Sequence, residues 1–133
     1  MNAAARLVNS ARKFDHVTPL LRDLHWLRVP ERIAFRLSVL VYRGLHGQAP
    51  AYISSDIQRV ADVESRRRLR SSSTAALLIR PTRHKTIGDR VFPVAAARAW
   101  NSLPPAVTDA PSLPVFRRRL KMDLFARSYS VQK

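Results

Sequence analysis

The chain has 133 residues, and 24 basic side chains against 9 acidic ones leave a formal charge of +15. This length suits one domain with a modest core. At most nine basic groups could pair with carboxylates, so internal ion pairs cannot absorb the excess. Because most of the basic residues are arginines, which match phosphate geometry, the expected partner is densely anionic, and nucleic acid is the commonest such partner.

Composition also limits where the protein is expected to work. The chain contains no cysteine, which excludes disulfides and thiolate zinc sites. No apolar stretch approaches the roughly 20 residues needed to span a membrane, and the N-terminus lacks the apolar core of a signal peptide. We therefore expect a nuclear or cytoplasmic protein with no membrane partner.

The N-terminal residues predict two short helices. Residues 1–13 are Ala-rich, with basic residues opposite Leu7 and Val8, and resemble the end of a longer element. Residues 1–19 are accordingly interpreted as a truncated connecting segment. Thr18 and Pro19 are typical of a helix start, and leucines follow at helical spacing.

The strongest pattern lies in residues 24–50. Pro30 and Glu31 suit a first helical turn, and Gly44 and Gly47 suit a helix end. Between them, apolar residues cover most of the helical circumference, which is typical of a central core helix. The exception is a narrow stripe of three arginines, expected to face solvent: Arg32, Arg36 and Arg43.

The middle of the chain predicts a short helix near residues 51–60, then an exposed basic loop over residues 62–74. Residues 75–80 and 91–94 predict two short strands. They would form a minor β-hairpin over about residues 76–94, with Pro93 confining the second strand to an edge.

The C-terminal part predicts a short helix over residues 95–103 and a last helix over residues 113–127, with Ser112 as N-cap. Leu113, Phe116, Leu120 and Leu124 form its apolar stripe. Residues 128–133 are expected to fray. The predicted fold class is mainly α, a small single-domain helical bundle over residues 1–133 with a minor β-hairpin.

No catalytic, metal or cofactor site is predicted. The nine acids are scattered, and only Asp62 and Glu64 are close, beside a basic loop. The histidines have no ligand spacing, and the chain lacks a Gly-rich phosphate loop. We interpret the chain as non-enzymatic.

Basic patches provide the positive signal, although a charge run can also be a solvated surface. Trp26 and Trp100 could stack on bases, but their apolar surroundings favour core packing. The predicted nucleic-acid-binding residues are Arg66, Arg67, Arg68, Arg70, Arg83, Lys85, Arg117 and Arg118.

Several blocks resemble the C-terminal region of reverse transcriptases of non-LTR (LINE-type) retrotransposons. They include LHWL at residues 24–27, YRGLHGQAPAY at 42–52, GDRVF at 88–92, AWNSLP at 99–104 and FRRRLK at 116–121. The blocks span almost the whole chain. The resemblance implies a region downstream of the polymerase palm, without the family's endonuclease or its catalytic Asp-Asp metal site, that helps to hold template RNA or target DNA.

Two alternatives to nucleic-acid binding remain at this stage. The apolar faces of the N-terminal and central helices could dock on the polymerase portion of the parent element, or make the fragment self-associate. The chain could also be a non-functional truncated element. RNA and DNA are equally compatible with the charge pattern.

Overall fold

The computed structural model describes residues 2–62, 76–79 and 91–130, and these residues are mainly helical. This confirms the predicted mainly α fold class. The helices of the described residues are α1 (Asn2–Val8), α2 (Val17–Asp23), α3 (Val29–Leu45), α4 (Ala51–Asp56), a 3-10 turn (Val60–Asp62), α5 (Phe92–Asn101), α6 (Pro105–Thr108) and α7 (Leu113–Tyr129). No helix in this part of the chain is both long and apolar enough to cross a membrane.

Helix α3 is the centre of the fold, as its apolar pattern predicts, but its arginine stripe is not the only part that faces solvent among the described residues, because Ile33 is 55% exposed. It packs against α4, α5 and α7, and α1 packs on α2. The rings of Tyr42 and Phe116 stack with centroids 4.5 Å apart, and Trp100 contacts Phe116 at 5.7 Å. All three side chains are buried. This aromatic cluster joins α3, α5 and α7, the three helices that form most of the core.

Helix α7 begins after Ser112, as predicted, and Phe116, Leu120 and Leu124 are buried along one face. The end of this helix is more ordered than its composition suggests. Fraying was expected from residue 128, yet Ser128 is buried and the Tyr129 hydroxyl donates a hydrogen bond to the Trp26 carbonyl at 2.8 Å. Tertiary contacts therefore hold the last turn.

The predicted β-hairpin is not confirmed. Residues 91–94 were expected to be a strand, but α5 begins at Phe92, and Pro93 lies in its first turn, where a missing N–H costs nothing. Within the described residues, Leu77 forms only an isolated antiparallel bridge with Arg59. The hairpin loop lies outside the described residues.

The side chain of Asn101 makes the two backbone hydrogen bonds at Leu77 that a neighbouring strand would otherwise make. Its Oδ1 accepts from the Leu77 N–H at 2.8 Å, and its Nδ2 donates to the Leu77 carbonyl at 2.9 Å. One amide therefore satisfies both backbone groups of a buried residue.

Tyr42→Phe should lower the free energy of unfolding by about 1–3 kcal/mol, because it leaves the buried Ala110 carbonyl without the hydroxyl that donates to it at 2.9 Å. Urea denaturation followed by far-UV circular dichroism measures the change. Tyr52→Phe is the matched control, since Tyr52 is 71% exposed and its loss should change stability by less than about 0.5 kcal/mol. Equal effects of the two substitutions would contradict this packing.

Candidate nucleic-acid interface

The structure places two of the eight predicted binding residues. Arg117 and Arg118 lie on the exposed face of α7. The other six, Arg66, Arg67, Arg68, Arg70, Arg83 and Lys85, lie outside the described residues, as does most of the predicted basic loop. Within the described residues, the predicted interface therefore consists of Arg117 and Arg118 on α7.

Beside this face an open depression of about 410 Å³ lies between the N-terminal half of α3, the α2–α3 connection and α7. We call it the α3–α7 groove. Its lining combines aromatic and basic side chains with one leucine: His25, Trp26, Leu27, Arg32, Phe35, Arg36 and Lys121. No carboxylate belongs to this lining among the described residues.

Helix α3 contributes two members of the predicted arginine stripe. Arg32 and Arg36 are four residues apart, so they share one face, about one turn from each other. Arg36 is exposed and Arg32 is half-buried. Phe35 lies beside them and packs its inner side against the core. Arg32 and Arg36 therefore lie in a groove that also contains an aromatic side chain, and not on a uniformly polar surface.

Helix α7 connects the groove to the predicted arginines. Lys121 is exposed and lines the groove. Arg117 precedes it by four residues and Arg118 by three, so all three lie on neighbouring parts of one helical face. Arg119 has a different role, because its guanidinium donates to the Ala106 carbonyl at 3.0 Å and links α7 to α6.

The two tryptophans have opposite environments. Trp100 is 2% exposed and belongs to the aromatic cluster, as its apolar surroundings predict. Trp26 was also expected in the core, but it is half-buried and lines the groove. Within the described residues, its ring stacks on no other aromatic ring, and its indole N–H donates no hydrogen bond. An aromatic surface and a donor are therefore available in the groove.

The carboxyl end of α7 holds the segment that carries Trp26. In addition to the hydrogen bond from Tyr129 to the Trp26 carbonyl, the guanidinium groups of Arg22 and Arg28 lie over the Tyr129 ring at 5.5 and 5.4 Å. Burial raises the pKa of the Tyr129 phenol above its ordinary value, partly offset by Arg28. The phenol therefore stays protonated at neutral pH and remains a donor.

Backbone geometry also fixes His25. Helix α2 ends with the Trp26 N–H bonded to the Leu21 carbonyl at 2.8 Å and the His25 N–H bonded to the Arg22 carbonyl at 3.0 Å. These two bonds form a Schellman motif. His25 occupies its left-handed position with φ of 54°, where glycine is usual, whereas α3 ends with Gly47 at φ of 69°. The histidine side chain reaches Phe125 on α7, with ring centroids 5.2 Å apart.

Two acidic side chains, Asp123 and Glu31, lie close in sequence to residues that line the groove. Asp123 on α7 pairs with Arg127 at 2.9 Å. Glu31 precedes Arg32 in the first turn of α3, and, in addition to burial, its negative charge contributes to the raised pKa of the Tyr129 phenol. In the described part of the chain, no group of three or more histidine, aspartate or glutamate side chains is placed to hold a metal ion. The chemistry that the groove offers is positive charge beside aromatic surface.

Comparisons with known proteins identify no relative. No family model, no curated protein and no solved structure matches this chain.

His25→Gly should raise the free energy of unfolding by about 0.5–1 kcal/mol, because glycine relieves the left-handed backbone at the cost of one exposed ring contact. Gly47→Ala should lower the free energy of unfolding by about 1 kcal/mol, because φ at Gly47 is also positive. No heavy atom lies within 4 Å of the added Cβ, so the cost comes from the backbone conformation and not from a steric clash. Paired urea melts measure both changes. A loss of stability in His25→Gly would show that its ring contact outweighs the strain.

Proposed function

We propose that this protein is a non-catalytic RNA- or DNA-binding module that binds the phosphate backbone through arginine patches. The observation that carries the proposal is the group of exposed basic side chains on two helices that pack against each other: Arg117, Arg118 and Lys121 on α7, and Arg36 on α3, which lines the same groove as Lys121. A formal charge of +15 supplies the long-range attraction. Arg66, Arg67, Arg68, Arg70, Arg83 and Lys85 would extend the contacts from the rest of the chain.

Phosphate contacts explain why arginine is favoured over lysine. A guanidinium presents donors in a rigid fork that matches two phosphate oxygens, and it is more weakly hydrated than an ammonium group. Because the phosphate backbone is common to RNA and DNA, this surface would bind either. Such a partner would be met in the nucleus or the cytoplasm. The resemblance to the C-terminal region of non-LTR retrotransposon reverse transcriptases supports the same role.

One observation favours a second candidate function, docking on another protein, such as the polymerase portion that the resemblance implies. Leu7, Val8 and Phe14 are 82%, 61% and 90% exposed, close together in sequence at the N-terminal end of the described residues. Exposed apolar side chains in such a group are typical of an interaction surface. This surface would act beside the basic one, or would make the lone chain self-associate.

Binding of labelled RNA and DNA, measured by fluorescence anisotropy over a range of salt concentrations, tests the principal proposal. Affinity should fall steeply as salt rises, because each neutralised phosphate releases counterions. Arg117→Ala and Arg118→Ala should each weaken binding of all sequences and reduce the slope of log K against log salt by about 0.7–0.9.

Arg59→Ala is the matched control, with the same change of charge at another exposed arginine. Arg59 lies two residues after Ile57, whose side chain packs against Gly44 near the end of α3. Gly44 is about 18 Å along the helix from Arg32, which lines the groove. The salt slope of Arg59→Ala should equal that of the wild type. Weak binding of every nucleic acid at low salt would overturn the proposal and favour protein docking. Equal slopes for all three variants would show that binding does not use this face of α7.

A further inference from the structure

The α3–α7 groove offers more than a phosphate surface requires. Phosphate contacts need only cations, whereas the lining of this groove also includes Trp26, Phe35 and Leu27. We propose that the groove holds an unpaired base of a single-stranded nucleic acid, stacked on Trp26, with the adjoining phosphates on Arg32, Arg36 and Lys121. This inference rests on the proposed function and narrows it from any phosphate backbone to single strands.

The state of Trp26 is the first support. A half-buried indole that stacks on no other ring among the described residues leaves ring surface for a ligand. Bases in a duplex are already stacked and cannot reach such a ring, whereas unpaired bases can. Trp26 is also held in place, because its carbonyl accepts the hydrogen bond from Tyr129 and its segment is closed by the Schellman motif. A prepositioned ring loses little entropy when it binds.

The distribution of charge is the second support. Arg32 and Arg36 belong to α3 and Lys121 to α7, so both helices contribute cations to a lining that also contains aromatic side chains. Proteins that bind single strands combine such a positively charged groove with aromatic platforms. The volume, about 410 Å³, is in the range of small-molecule sites. Arg117, one turn from Lys121, continues the track for the strand beyond the groove.

An acidic peptide is a less suitable occupant. A peptide that binds by adding a strand needs an exposed sheet edge, and the described residues contain no sheet. A carboxylate would use the cations but leave the ring of Trp26 without a flat partner. The chemistry of the groove therefore favours a nucleotide.

The experiment compares a labelled single strand with a duplex of the same sequence, using the wild type, Trp26→Leu and Trp26→Phe. The wild type should prefer the single strand. Trp26→Leu should weaken single-strand binding by about 5- to 100-fold and change duplex binding by less than about twofold. Because no charge is removed, its salt slope should not change. Trp26→Phe keeps a ring and should retain most of the affinity.

Tryptophan fluorescence provides a second measurement, which uses the wild type and Trp26→Phe and does not depend on Trp26→Leu being folded. The single strand should quench the wild type, and the quenching should be lost in Trp26→Phe, where the buried Trp100 is the remaining tryptophan. If Trp26→Leu fails to fold, this comparison decides the question.

The outcomes separate the two proposals. Equal affinity for single strand and duplex, with no quenching and no effect of Trp26→Leu, would overturn the base-binding groove and leave phosphate binding intact. Failure to bind any nucleic acid at low salt would overturn the proposed function itself, and this inference with it. An acidic peptide that competes with the strand without quenching Trp26 would assign the groove to a protein partner.

Discussion

The stacking of Tyr42 on Phe116 is the contact on which the rest of the structure depends. It fixes α3 against α7, and Trp100 adds α5 to the same cluster. Burial of these large rings contributes more than any of the surface ion pairs. The consequence for function is geometric. Once α3 and α7 are locked together, Arg36 and Lys121 must lie on opposite sides of one groove. A core interaction thus creates the basic surface.

The long helices could be predicted from the sequence because their signals are local. Pro30 and Ser112 mark helix starts, and the spacing of Phe116, Leu120 and Leu124 defines the buried face of α7. The strand expected at residues 91–94 was wrong for a physical reason. Short apolar runs do not distinguish strand from helix, and Pro93 suits a first helical turn as well as an edge strand. Ser128 and Tyr129 are held by tertiary contacts, which a local sequence pattern does not reveal.

The candidate site was only partly predictable. Arg117 and Arg118 follow from the charge run and are exposed as expected. The groove was not predicted because its members lie far apart in the chain, from His25 to Lys121, and meet only through the packing of α3 on α7. Trp26 was assigned to the core on general burial habits. The available signal was its position in the connection between two helices, because connecting segments usually run over the protein surface.

The two tryptophans make a direct measurement possible, because their indole N–H groups give two separate signals in a ¹⁵N–¹H correlation spectrum. Trp26 lines the groove and Trp100 lies in the core, so one reports on the interface and the other serves as an internal control. On addition of a short single-stranded oligonucleotide, the signal of Trp26 should move with increasing ligand while that of Trp100 stays in place. A Trp26 signal that does not move while the oligonucleotide binds would contradict the account.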